Sequence, residues 1–134
     1  METIEIKNGD NYALDIASTA LAQIMLTDPN TVKCWGVSKR ICLYVNDMPA
    51  VGLYVNGFIH KGWVFVALNE GTDTYEVFTV IKEANNPLFV VVDHKDDIYC
   101  DMLTSTIDGM IEKDPSWTDE EYNSNVDAWL TETA

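Results

Sequence analysis

Apolar residues recur at helical spacing near the start of the chain. In NYALDIASTALAQIMLTDPN, Leu14, Ala17, Leu21, Ile24 and Met25 fall at i, i+3, i+7, i+10 and i+11, which predicts a helix over residues 10–28. Asp10 or Asn11 can cap its start, and Pro29 ends it by restricting the residue before it. The polar face of Asp15, Thr19 and Gln23 is narrow. Such a helix is expected to lie across a sheet, buried over most of its circumference. Residues 1–9 form an N-terminal extension or a short strand.

From Val32 to Asp93 the pattern changes to β-branched and aromatic residues, broken by NDMPA, NG, HKG, NEGTD and ANNP. Turn chemistry at near-regular intervals predicts an antiparallel meander, with strands near 34–45, 50–59, 62–69, 74–82 and 88–93. Asn56-Gly57 reads either as a two-residue hairpin turn or as a bulge in a strand that runs on to HKG. Both faces of WVFVAL (63–68) are apolar, which places that strand centrally or under a second layer.

The tetrapeptide Leu-Tyr-Val-Asn occurs twice, at 43–46 and 53–56. Its alternation puts Leu43 and Val45, and likewise Leu53 and Val55, on one face of the strand, with Tyr44 or Tyr54 on the other. Two neighbouring strands facing the same core account for the coincidence. A single recurrence falls short of a repeat array.

Helical spacing returns after Asp96. Tyr99, Met102, Leu103, Thr106, Met110 and Ile111 form one stripe of a helix over 96–113, with Asp101, Thr104, Asp108 and Glu112 opposite. A further helix over 118–131 starts with capping-box spacing between Thr118 and Glu121. Residues 1–134 therefore form a single α+β domain. Its expected architecture is a five-stranded, mostly antiparallel meander sheet carrying one N-terminal helix and two C-terminal helices.

Charge sharpens this picture. The formal net charge is −14, which argues against nucleic-acid binding and against anionic membranes. Residues 101–134 hold nine carboxylates against Lys113 alone, whereas residues 33–68 hold Lys33, Lys39, Arg40 and Lys61 against Asp47 alone. The acidic end suits a basic protein surface, such as that of a nucleic-acid-binding protein. Three scattered cysteines, Cys34, Cys42 and Cys100, make no disulfide framework. No basic-then-apolar leader opens the sequence, so a cytoplasmic location is expected.

Candidate chemistry is sparse. Asp93, His94, Asp96 and Asp97 could ligate a cation, but they match no EF-hand loop and would hold Lys95 inside the site, so favourable charge at a helix start is the preferred account of them. Cys100 beside His94 lacks the electropositive setting a thiolate needs. No GxSxG, GxGxxG or P-loop is present. The expectation is a protein that is not an enzyme, with no catalytic residues, metal or cofactor.

The acidic, compact α+β design resembles small accessory proteins of phages and mobile elements, such as inhibitors and immunity proteins. The resemblance is one of overall design and carries over no residues. It implies an inhibitor or immunity-type protein; the charge distribution, read separately, gives the contact with a basic partner surface to Asp108, Glu112, Asp119, Glu120, Glu121 and Asp127. Two other readings stand beside it. One is a small-ligand pocket or exposed aromatic patch built from Trp35, Tyr44, Tyr54 and Trp63. The other is a homo-oligomeric structural accessory protein pairing through a sheet edge.

Overall fold

A computed structural model of the chain describes residues 2–57, 59–82 and 89–112. Helix α1 spans Asn11–Thr27, and the Asp10 carboxylate caps it by accepting the Ala13 N–H. A short α2, Pro29–Lys33, follows, with Asp28 accepting from the Thr31 amide and hydroxyl. The buried stripe of α1 is Ala13, Ala17, Ala20 and Ile24, turned away from the expected line through Leu14 and Leu21. Alanine side chains let the helix settle close to the sheet. The bulkier residues are displaced to its flank: Leu14 is 51% exposed and Met25 40%. The expectation that α1 would be buried over most of its circumference is thus corrected.

Seven strands form one antiparallel sheet rather than five. They are β1 (Thr3–Ile4), β2 (Ile6–Asn8), β3 (Lys39–Val45), β4 (Met48–Asn56), β5 (Lys61–Asn69), β6 (Thr74–Lys82) and β7 (Phe89–Ile98), in the order β1-β7-β6-β5-β4-β3-β2. The two outermost strands are halves of a single N-terminal segment. Thr3 and Ile4 pair with Val90 and Phe89, while Ile6, Lys7 and Asn8 pair with Val45, Tyr44 and Leu43. Between them, Glu5 donates its N–H to the Asn46 side chain and accepts the Asn46 N–H. This segment ties one edge of the sheet to the other and gives a near-barrel rather than an open meander.

Closure creates two cores. Inside the curl lie Ile4, Leu43, Val45, Ala50, Phe65, Ala67, Phe78 and Val80. On the outer face, α1, α2 and a helix over Leu103–Ile111 cover Val51, Leu53, Val55, Val64, Val66 and Val77. Central β5 contributes to both, with Val64, Phe65, Val66 and Ala67 all buried, which is why residues 63–68 are apolar at every position.

The β3–β4 hairpin resolves the repeated tetrapeptide differently from expectation. Asn46 and Asp47 both have positive φ, 49° and 67°, as a two-residue type I′ turn requires. The resulting register pairs Leu43 with Ala50, and Leu53 with Arg40. Arg40 is three residues from Leu43, an odd offset, so the two copies face opposite sides of the sheet. Leu43 and Val45 enter the inner core, whereas Leu53 and Val55 enter the outer one. Two different cores, not one shared core, account for the same four letters.

Asn56-Gly57 is neither of its two expected forms. β4 ends at Asn56, which pairs with Lys61, and residues 57–60 make the connection. His60 in this loop is buried, and its Nε2–H donates to the Trp63 carbonyl, 3.1 Å away. Burial lowers its pKa below the ordinary 6.5, and the hydrogen bond only partly opposes that. The unfolded chain therefore binds more protons than the folded one as pH falls through about 6.5, and stability declines there. The urea midpoint of the native protein is expected to drop more between about pH 7.5 and pH 5.5 than that of His60→Gln. Parallel pH profiles would refute this.

β7 runs on to Ile98, so Asp96 and Asp97 lie in a strand and do not open a helix. Its register against β6 shifts twice, between Thr79 and Val80 and again between Tyr75 and Val77. Asp97 adopts a positive φ of 53° at the second irregularity. Beyond it a 3₁₀ turn, Cys100–Met102, leads into α3, Leu103–Ile111. The buried face of α3 is Leu103, Thr104, Ile107, Met110 and Ile111, while Tyr99 and Met102 are exposed. Thr104 turns inward because its hydroxyl donates to the Ile24 carbonyl in the last turns of α1, at 2.8 Å. The expected helix over 118–131 lies outside the described residues.

Candidate functional site

The residues expected to carry contact fall into separate places. Of the six carboxylates, Asp119, Glu120, Glu121 and Asp127 lie outside the described residues. Asp108 is half-buried and accepts the Trp35 indole N–H at 3.0 Å, and Glu112 is buried where α3 ends. Neither is presented as part of an acidic face.

The aromatic set is also divided. Trp35 is fully buried in the outer core. Tyr44, paired with Pro49 on the helix-facing side, donates its hydroxyl to the capping carboxylate of Asp10 at 2.8 Å. That carboxylate holds the phenol protonated, its pKa pushed up to about 12. Tyr54 and Trp63 form a cross-strand pair on the opposite face, rings edge-to-face at 5.2 Å, with the Lys39 ammonium 5.5 Å from the Tyr54 ring centre. No single patch or pocket unites the four.

His94 does meet carboxylates, though in a fastening role. It lies flat on Phe78, with ring centres 4.1 Å apart, Nδ1 3.1 Å from Glu2 and Nε2 2.9 Å from Glu76. Glu76 also accepts from the Asn69 side-chain amide. This links the residue before β1 to β7 and β6, at the seam where the sheet closes. Among the described residues no group of three or more His, Cys, Asp or Glu side chains is placed to hold a metal ion. Partial burial, and then the carboxylates of Glu112, Asp108 and Asp28, push the Cys34 thiol above its ordinary pKa, the wrong direction for a nucleophile.

The feature with binding geometry is a groove between α1 and the β3–β4 hairpin. One hollow of about 130 Å³ is bounded by Leu14, Ala17, Ser18, Leu21, Arg40, Ile41, Cys42 and Val51. A second, of about 330 Å³, is bounded by Leu21, Met25, Val32, Lys33, Gly36, Val37, Arg40 and Leu53. Leu21 and Arg40 border both, so the two hollows are neighbours along the same flank of α1. The groove's origin is the alanine stripe: α1 carries a second apolar line through Leu14, Leu21 and Met25, of which Leu21 packs partly against the outer core while Leu14 and Met25 stay exposed. Leu26, in the last turn of α1, is 84% exposed.

Electrostatics distinguish this surface from the rest of the chain. Arg40 and Lys33 have no carboxylate partner among the described residues. Two unpaired cations beside aliphatic walls, in a chain of net charge −14, make a local inversion of charge. The sequence signals for it were the cationic excess in residues 33–68 and the breadth of the apolar face on α1. Arg40, Lys33, Leu14, Leu21 and Met25 were not among the expected site residues.

No family model matches the chain, and no curated protein or solved structure matches it either. Among the described residues, no helix is long and apolar enough to cross a membrane.

Proposed function

We propose that this chain is a small, non-enzymatic binding protein of the accessory inhibitor or immunity type, working by surface contact. The observation that supports it is the exposed apolar flank of α1 around Leu14 and Met25, beside an Arg40 that has no carboxylate partner among the described residues. Apolar surface retained next to a cation and rimmed by polar residues is characteristic of interaction sites. The groove is aliphatic, which favours a macromolecular segment over the aromatic ligand pocket expected from Trp35, Tyr44, Tyr54 and Trp63.

The net charge supports a second contact, in which Asp119, Glu120, Glu121 and Asp127 meet a basic surface. One experiment weighs both. The full chain, Leu21→Asp and the double variant Glu120→Lys/Glu121→Lys are used to capture partners from host lysate at low and high salt. Loss with Leu21→Asp assigns the contact to the groove. Loss with the double variant, together with steep salt sensitivity, assigns it to the late carboxylates. Capture unchanged by either set overturns the reading.

A further inference from the structure

We infer that the outer edge of β3 beside α1 is a docking site for an extended segment of a partner protein, one carrying a carboxylate between two apolar residues and adding to the sheet as an edge strand. The inference rests on the binding-protein reading and names the chemistry of its partner.

Three observations converge on it. β4 pairs with β3 over Lys39–Val45, but β2 covers only Leu43–Val45 on the other side. Lys39, Arg40 and Ile41 thus have a strand on one side only among the described residues, and of the three it is Arg40 that turns its N–H and C=O to the open side, in phase with Asn46, which bonds across to Glu5. The run is closed off at its upper end, where the chain crosses the Cys42 backbone at Gly9; a Cβ at Gly9 would meet the Cys42 carbonyl oxygen at 2.6 Å. An unpaired strand edge is a template for main-chain pairing.

The second observation concerns the wall beside that edge. Arg40 pairs with Leu53 and Cys42 with Val51, both outer-core positions, so this side of an added strand would face α1. Alternate side chains of a strand share a face. Residues i and i+4 of the incoming segment would enter the two hollows, and residue i+2 would meet the guanidinium of Arg40, which borders both.

Third, the charge selects the occupant. Arg40 has no carboxylate partner among the described residues, and a bidentate carboxylate suits it. A second copy of this chain pairing edge to edge about a two-fold axis would instead oppose one Arg40 to another. The repulsive net charge disfavours a nucleic acid.

The test is selection of a random eight-residue peptide library displayed on phage against the immobilised full chain. Enriched peptides should carry the pattern apolar–any–Asp/Glu–any–apolar. The synthesised winner should bind Arg40→Glu and Leu21→Asp about tenfold or more weakly. It should also slow amide hydrogen exchange at Arg40, whose N–H points to the open edge, and leave Lys39 and Ile41, which face β4, little changed. Changing the peptide carboxylate to its amide should abolish the difference between native protein and Arg40→Gln, a milder variant at an exposed position that guards against misfolding.

Enrichment that is equal on Arg40→Glu, or binding that leaves Arg40 amide exchange unchanged, overturns the proposal. So does a dimer seen by light scattering without peptide and lost in Leu21→Asp, which would give the edge to a second copy. Groove-dependent partner capture with no such peptide would sink this proposal alone and leave the binding-protein reading standing.

Discussion

Trp35→Ala is expected to lower stability by about 3–5 kcal/mol, the range for deleting a large buried aromatic side chain. Trp35 has no exposed surface and sits in the core between helices and sheet. It follows α2, its carbonyl accepts the Asn56 N–H at the end of β4, and its indole N–H reaches Asp108 on α3. The residue therefore joins three elements, and loss of its side chain leaves Asp108 without that donor as well as a cavity, while the backbone bond to Asn56 remains. Trp35→Phe separates these effects. It keeps most of the apolar volume and removes the N–H, so about 1–3 kcal/mol should be lost. Urea melts of the two variants give the comparison. Equal losses would show that packing contributes nothing beyond the hydrogen bond.

The second large effect is expected at the seam. Ile4 is 2% exposed and points into the inner core from the short strand that pairs with β7. Ile4→Ala should cost about 2–5 kcal/mol. Ile4→Asp should cost more, because an unpaired carboxylate would enter an apolar interior. Detaching this segment would also release Glu2 from His94. Hydrogen exchange should rise first in β1 and β7 while β4 and β5 stay protected. Uniform acceleration across all strands would instead mean that the curl opens only by global unfolding.

How much of this was legible in the residues depends on which physical signal each element carries. α1 was readable because its caps and spacing agree, yet its orientation was not. Two apolar lines share the helix, and hydrophobicity ranks leucine above alanine, whereas close packing on a sheet selected Ala13, Ala17 and Ala20. The central strands were readable from their β-branched runs and turns. β1 and β2 were not, because segments of two and three residues show no period.

The polar end of β7 read as a helix start because bulges break the two-residue alternation that marks a strand. The opposed faces of the two Leu-Tyr-Val-Asn copies depend on turn length, since a register fixed by a two-residue turn decides parity. Among the site residues, Asp108 and Trp35 were each singled out, but for contact with partners. Their indole–carboxylate bond joins residues far apart in sequence, which no local pattern reveals. The groove was missed for the complementary reason: it is made of residues that packing left over.

The closing segment also sets an order of events during synthesis. Thr3 precedes Val90 by most of the described chain, yet the two must pair before the curl can shut. While a ribosome is still making β6, Ile4 has no strand to join on that side and the inner core lacks a wall. Folding must therefore wait for a late-arriving strand and carry a long loop-closure cost, which predicts slow kinetics for so small a domain and a need for shelter of the nascent inner face.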